Sequence, residues 1–166
     1  MVSYKHKVFI SYFHKDDQEY AYLLKKFYGN AIIDKSLNED IGYMSNEYIL
    51  NLIRRERLRD STVTVVLVGQ HTYGRKWVDW EIYASLRPYG YRTRNGLVGV
   101  YLPRYSNKPF RLTDNILSGY AVKINWNELE SMRLLSNAVH KAWNRRNYPG
   151  LIDNTRPLRI NNAPIG

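Results

Sequence analysis

The chain of 166 residues contains no cysteine. Disulfides, thiol nucleophiles and cysteine-based metal sites are therefore excluded, and nothing in the chain requires an oxidising compartment. Long hydrophobic runs are missing as well. The longest mostly apolar stretch, residues 63–68, is far too short to span a bilayer, and the first residues form no apolar signal core. We therefore expect a cytoplasmic protein without a membrane partner, of single-domain length.

The sequence motifs of several common enzyme classes are also missing. The turn after the first apolar run, residues 11–14, lacks the glycines of a dinucleotide-binding fold, and neither a P-loop nor the Gly-x-Ser-x-Gly of serine hydrolases occurs. A receiver domain is excluded because residues 68–70 offer no acceptor aspartate. The four histidines are scattered, and none has ligand spacing with a nearby carboxylate, so we expect no metal site.

Positive charge is in excess, with a net charge of +10. Such a charge suits a polyanionic partner such as nucleic acid, a nucleotide or an acidic membrane surface. The cations are dispersed, however, and form no long basic tract. Those of residues 54–59 are favourably placed at a predicted helix C-terminus. A solvated basic surface is therefore the simpler interpretation, and nucleic acid is not an expected partner.

Apolar runs alternate with amphipathic stripes along the chain. Strands are predicted at residues 7–12, 31–34, 62–68, 97–102 and 121–126. Helices are predicted around residues 20–28, 45–59, 77–86 and 135–143, and loops at 35–43 and 103–118. The alternation predicts a three-layer α/β domain with a mostly parallel sheet over residues 1–148. A tail follows at 149–166, either packed on the surface or disordered.

One acid stands out on the third predicted helix. Trp77, Trp80 and Ala84 recur on one side of this helix, and Glu81 lies in the same stripe. Burial of a carboxylate beside tryptophans is costly, so Glu81 is either a partnered structural acid or a working one. In folds of this class ligands bind beyond the carboxyl ends of the strands, and residues 70–81 follow the third predicted strand. From the residues alone, Glu81 can be interpreted either as a structural acid or as a functional one.

Several segments together resemble a TIR domain. Residues 7–12 resemble its opening strand, 33–34 its second strand and 122–126 its closing strand, while 35–42 fall where its BB loop belongs. Residues 77–81, Trp-Val-Asp-Trp-Glu, match the Trp-x-x-x-Glu motif of NAD-cleaving TIR domains. The resemblance runs from about residue 7 to residue 143. It is greatest to bacterial TIR-like proteins of anti-phage systems, Thoeris in particular.

The resemblance implies a flavodoxin-like fold, a central parallel five-stranded sheet of order 2-1-3-4-5 with helices on both faces, and cleavage of the nicotinamide–ribose bond of NAD+. It makes Glu81 the catalytic residue. The substrate-binding residues that it implies are Ser11, Tyr12, Phe13, His14, Asp34, Asn38 and Trp77. NAD+ is then the substrate, with no cofactor and no metal.

The same resemblance implies partners. Protomers would assemble through TIR–TIR contacts, with the BB loop of one completing the pocket of the next, and a separate effector protein would respond to the ADP-ribose-derived product. A non-catalytic TIR module that acts only through assembly is the alternative.

Overall fold

The computed structural model describes residues 6–33, 44–129 and 132–165. Asp34, Asn38 and the predicted BB loop at 35–42 lie outside the described residues. The strands are β1 (Val8–Ser11), β2 (Ile32–Ile33), β3 (Val63–Val68), β4 (Gly96–Tyr101) and β5 (Val122–Asn125). The helices are α1 (His14–Tyr28), α2 (Asn46–Ile53), α3 (Lys76–Ser85), α4 (Phe110–Leu117) and α5 (Met132–Arg145). A π-helical turn, Arg54–Leu58, continues α2 directly.

The described strands form one parallel sheet in the order β2-β1-β3-β4-β5. Strands β1, β3 and β4 are buried along their whole length, as expected of central strands covered on both faces. Helices α1 and α5 pack on one face, and α2, α3 and α4 pack on the other. The predicted α/β class with a parallel sheet is therefore confirmed, and the strand order is the one that the resemblance implies.

The predicted loop at 103–118 is wrong, because its second half forms α4. The sequence hides this helix because its buried face is partly polar. Leu112 and Asn115 are fully buried, and Arg111 is only 2% exposed. Pro109 occupies the N-cap position, where its missing N–H costs nothing.

The expectation of a solvated basic surface is also wrong for part of residues 54–59. Arg54 and Arg57 are buried, 6% and 4% exposed respectively, whereas Arg55 and Arg59 are exposed. The π-helical turn continues the buried face of α2, on which Ile53 lies, and turns the two arginines inward.

Residues 149–165 pack against α3 and α4. Asn115 on α4 donates to the carbonyl of Asp153 and accepts from its backbone N–H, at 2.7 and 2.9 Å. Trp80 on α3 donates through its indole N–H to the carbonyl of Arg159 at 2.7 Å. None of the helices within the described ranges combines the length and the apolar character needed to cross a membrane.

Candidate functional site

Glu81 lies near the middle of α3 and is only 4% exposed. The Ser11 hydroxyl donates to its Oε1 at 2.8 Å, and Arg57 Nη1 donates to its Oε2 at 2.5 Å. The contact with Arg57 is a salt bridge between two buried side chains. Charge-assisted hydrogen bonds of this kind fix a carboxylate in one orientation.

Three separate elements bring these groups together. Ser11 is the last residue of β1, and Glu81 is on the helix that follows β3. Both therefore lie at the carboxyl edge of the sheet, where ligands bind in folds of this class. Arg57 reaches the same point from the π-helical turn after α2, and π-helical turns are frequent at functional sites.

A cavity of about 560 Å³ opens beside Glu81, within the size range of small-molecule sites. The residues that line it are Tyr12, Phe13, His14, Lys15, Arg57, Arg75, Trp77, Val78, Glu81, Asn162 and Ile165. Within the described part of the chain, Glu81 is the only acid among them, facing three cations. The cavity therefore suits a ligand that carries both negative groups and apolar rings.

Aromatic rings form much of the cavity wall. Tyr12 stacks on His14 with ring centroids 4.2 Å apart. The guanidinium of Arg75 lies 4.8 Å from the centre of the Phe13 ring, a cation–π contact. Trp77 meets Trp80 edge to face at 5.6 Å, which holds its ring against the body of the protein. These contacts give the wall a fixed shape.

The segment 149–165 completes this wall. Asn162 accepts a hydrogen bond from the backbone N–H of Lys76 at 2.8 Å. That N–H opens α3, whose own N-cap residue, Arg75, makes no side-chain cap. Ala163 donates its N–H to the Gly74 carbonyl at 2.8 Å, and Arg75 Nη2 donates to the Ala163 carbonyl. Through these bonds the segment caps the helix that carries Glu81 and brings Asn162 to the cavity.

A second acidic group lies at the same edge of the sheet, outside the cavity lining. Asp17 is 5% exposed, and burial together with the neighbouring charge of Asp16 raises its pKa from 3.8 to about 6. A weak hydrogen bond from Thr72 and the charge of His71 oppose the rise in this pKa. Asp16 itself forms a hydrogen bond with His71.

The structure brings six of the eight predicted site residues to this edge of the sheet. Those that line the cavity are Tyr12, Phe13, His14, Trp77 and Glu81, and Ser11 lies behind them, bonded to Glu81. Asp34 and Asn38 lie outside the described residues. In the parts of the chain that are described, no cluster of three or more His, Asp or Glu residues could hold a metal ion.

The sequence did not reveal five residues that line the cavity. They are the cations Lys15, Arg57 and Arg75, and Asn162 and Ile165 of the segment 149–165. Arg57 carries a signal that could have revealed it, because it follows the buried residues Ile49 and Ile53 at steps of four along one face. Nothing in the sequence marks Asn162 or Ile165, because loop contacts fix their positions.

Comparison with known proteins gives one family. The family model described as Thoeris protein ThsB, TIR-like domain, matches residues 9–107, more than half of the chain. No curated protein matches the chain. Ser11, Arg57 and Glu81 lie inside the matched range, whereas Asn162 and Ile165 lie beyond it. The chain therefore belongs to the family of TIR-like domains of the Thoeris protein ThsB.

Proposed function

We propose that the protein cleaves NAD+ and forms an ADP-ribose-derived signal molecule in anti-phage defence, as an NAD nucleosidase or ADP-ribosyl cyclase. The observation that carries the proposal is the position of Glu81. The acid of the Trp-x-x-x-Glu motif lies in the wall of a 560 Å³ cavity, with its carboxylate fixed by Ser11 and Arg57. Membership of the Thoeris TIR-like family supports the defence role.

The chemistry of nicotinamide release explains why one acid suffices. The leaving group is bound through a positively charged pyridinium nitrogen, so it departs as a neutral molecule and needs no proton. Positive charge then builds up on the ribose as an oxocarbenium-like transition state. A carboxylate beside the ribose hydroxyls stabilises that state by hydrogen bonds that strengthen as the charge grows. A carboxylate accepts about four hydrogen bonds, enough for Ser11, Arg57 and a ribose hydroxyl together.

The remaining cavity residues suit the rest of the substrate. Lys15 and Arg75 provide the positive charge that a diphosphate requires, and arginine binds phosphate oxygens through paired N–H groups. The rings of Tyr12 and Trp77 offer flat apolar surfaces for nicotinamide or adenine. Such a wall also excludes water, which favours attack on the ribose by an internal nucleophile and therefore cyclisation.

The proposal includes two partners besides NAD+. Protomers assemble through TIR–TIR contacts, so activity depends on protein concentration. The product then acts on a separate effector protein. In this proposal NAD+ is the substrate and the reaction uses no separate cofactor.

One observation favours the alternative of a non-catalytic assembly module. Glu81 is almost fully buried, and its salt bridge with the buried Arg57 is a contact that a structural acid would also make. The two functions differ in a measurable outcome, since only the enzyme consumes NAD+.

The test is incubation with NAD+, once with dispersed protein and once with protein crowded on a surface through a terminal tag. We expect nicotinamide release to rise with crowding, and mass spectrometry to identify a product with the mass of ADP-ribose or of its cyclic form. Intact NAD+ under both conditions, with protein whose circular dichroism shows that it is folded, would contradict the proposal and favour the assembly module.

A further inference from the structure

A second buried arginine, Arg54, lies on the π-helical turn after α2. Arg57 is paired with Glu81, but among the described residues Nε and Nη2 of Arg54 are buried without a hydrogen-bond partner. Arg54 is only 6% exposed. A buried cation normally has an anionic partner, because the loss of its hydration is costly. Arg54 therefore has the environment of a residue that binds an external anion.

Arg54 lines a small cleft at the C-terminal end of α3, beside Ala84 and Ser85 and about one helical turn from Glu81. The cleft also includes Asn95, just before β4, and so lies near the amino end of that strand rather than at the carboxyl edge of the sheet. Its void of about 20 Å³ admits one water-sized group, such as a single phosphate oxygen. The other cations that line the cleft are Arg59, Arg87 and Arg92, and all three are exposed. One buried and three exposed guanidinium groups thus surround a space for one phosphate oxygen.

The walls of the cleft are built by defined contacts. Tyr89 and Arg92 exchange two backbone hydrogen bonds of 3.0 and 2.9 Å, which close a tight turn through Gly90 at a φ of 56°. The Tyr89 ring lies 5.6 Å from the guanidinium carbon of Arg54. Asn95, also in the lining, is held by hydrogen bonds to Ser61 and Thr64 at 2.9 and 3.2 Å.

The local charge is strongly positive. From residue 82 to residue 113 the chain contains no aspartate or glutamate. Burial and the charge of Arg87 lower the pKa of Arg54, whereas Glu47 on α2 partly offsets them. The exposed side chain of Glu47 is not among the residues that line the cleft.

We propose that this cleft is a phosphate-binding site, distinct from the cavity at Glu81, in which Arg54 holds one phosphate oxygen and Arg59, Arg87 and Arg92 neutralise the rest of the group. The phosphate belongs either to a small phosphorylated ligand or to a nucleic-acid backbone. Guanidinium groups suit both, because they bind phosphate oxygens through paired N–H groups. The site does not depend on the proposed NAD+ chemistry.

The test compares Arg54→Met with Arg55→Met. Both variants remove one positive charge from the same turn, but the Arg55 side chain is 54% exposed and is not part of the cleft. Melting temperatures are measured against inorganic phosphate, with chloride keeping the ionic strength constant, since a ligand of the folded state raises the melting temperature. We expect wild type and Arg55→Met to gain stability in parallel. Arg54→Met should bind phosphate about ten-fold or more weakly.

A second variant covers the case in which Arg54→Met fails to fold. Arg87→Met changes an exposed residue of the cleft and should also weaken phosphate binding relative to Arg55→Met.

A short single-stranded oligonucleotide, used at several salt concentrations, distinguishes the two sources of phosphate. Binding that is Arg54-dependent, tighter than that of inorganic phosphate and steeply salt-dependent indicates a nucleic acid, and a response to phosphate alone indicates a small ligand. An equal phosphate response in all variants, or none in the wild type, overturns the proposal.

Discussion

At the scale of single residues, the carboxylate of Glu81 is held by Ser11 and Arg57, one bonded to each of its oxygens. Its helical stripe with Trp77 and Trp80 indicates a buried acid, and the structure places it among buried groups. Its partners could not be predicted, because Ser11 and Arg57 lie 70 and 24 residues away along the chain. The sequence predicts a solvated Arg57, because the cations of residues 54–59 are favourably placed at a helix C-terminus.

Asp17 gives the clearest pH dependence of any described residue. In the folded protein its pKa is about 6, raised from 3.8 mainly by burial. Between these two pH values the folded state holds more protons than the unfolded state, so this group makes the protein less stable as the pH rises. The destabilisation caused by ionising the buried Asp17 is complete above about pH 6 and absent below about pH 3.8, and it amounts to about 3 kcal/mol of the free energy of unfolding.

We therefore predict that Asp17→Asn is more stable than the wild type at pH 8, by up to about 3 kcal/mol, and nearly equal to it at pH 4. The measurement is urea unfolding of both proteins at several pH values. Asp60→Asn, at an exposed acid, serves as the control and should show no such trend. A stability difference between Asp17→Asn and wild type that stays constant from pH 4 to pH 8 would show that Asp17 titrates normally.

At the scale of elements, the buried Arg111 is one of the residues through which α4 holds the segment 149–165. The Arg111 guanidinium donates to both carboxylate oxygens of Asp79 on α3, at 2.9 and 3.3 Å. Its other bonds go to the Asn154 side chain and to the carbonyls of Arg156 and Pro157, at 2.9 to 3.0 Å. All of its nitrogens are thus used in joining α3, α4 and the segment.

We predict that Arg111→Met loosens the segment and destabilises the protein by about 3 kcal/mol, because Asp79 loses its buried partner and two carbonyls lose their donor. Hydrogen exchange should become faster at the amides of Arg159 and Ala163, which bond to Asp79 and to Gly74 respectively.

The matched control for this prediction is Arg156→Met. It removes the same charge from a partly exposed pair with Asp114 and should cost less than about 1 kcal/mol. Equal destabilisation by the two variants, with unchanged exchange at residues 159 and 163, would show that Arg111 does not anchor the segment.

At the scale of the whole molecule, the sheet was largely predictable and the site only in part. Apolar runs such as 63–68 indicate central strands, and their alternation with helices indicates a parallel sheet. Helix α4 was missed because its buried face carries Arg111 and Asn115, whose partners lie in the segment 149–165. The cavity draws on the turn after β1, the start of α1, the π-helical turn, α3 and that segment, so its shape depends on the fold as a whole.

In the proposed function, the carboxylate of Glu81 stabilises the transition state of NAD+ cleavage. The most direct test is the rate of nicotinamide release by Glu81→Gln and Glu81→Asp, under conditions in which the wild type is active. Glu81→Asp keeps the charge opposite Arg57 but shortens the side chain by one methylene group. It therefore tests the position of the carboxylate even if Glu81→Gln fails to fold. Glu56→Gln removes an exposed acid of the π-helical turn and serves as the control.

We predict that Glu56→Gln matches the wild type, whereas both Glu81 variants release nicotinamide at least about 100-fold more slowly and show the circular dichroism of folded protein. A rate within a few-fold of the wild type in either folded Glu81 variant would contradict this prediction and leave Glu81 as the structural partner of Arg57.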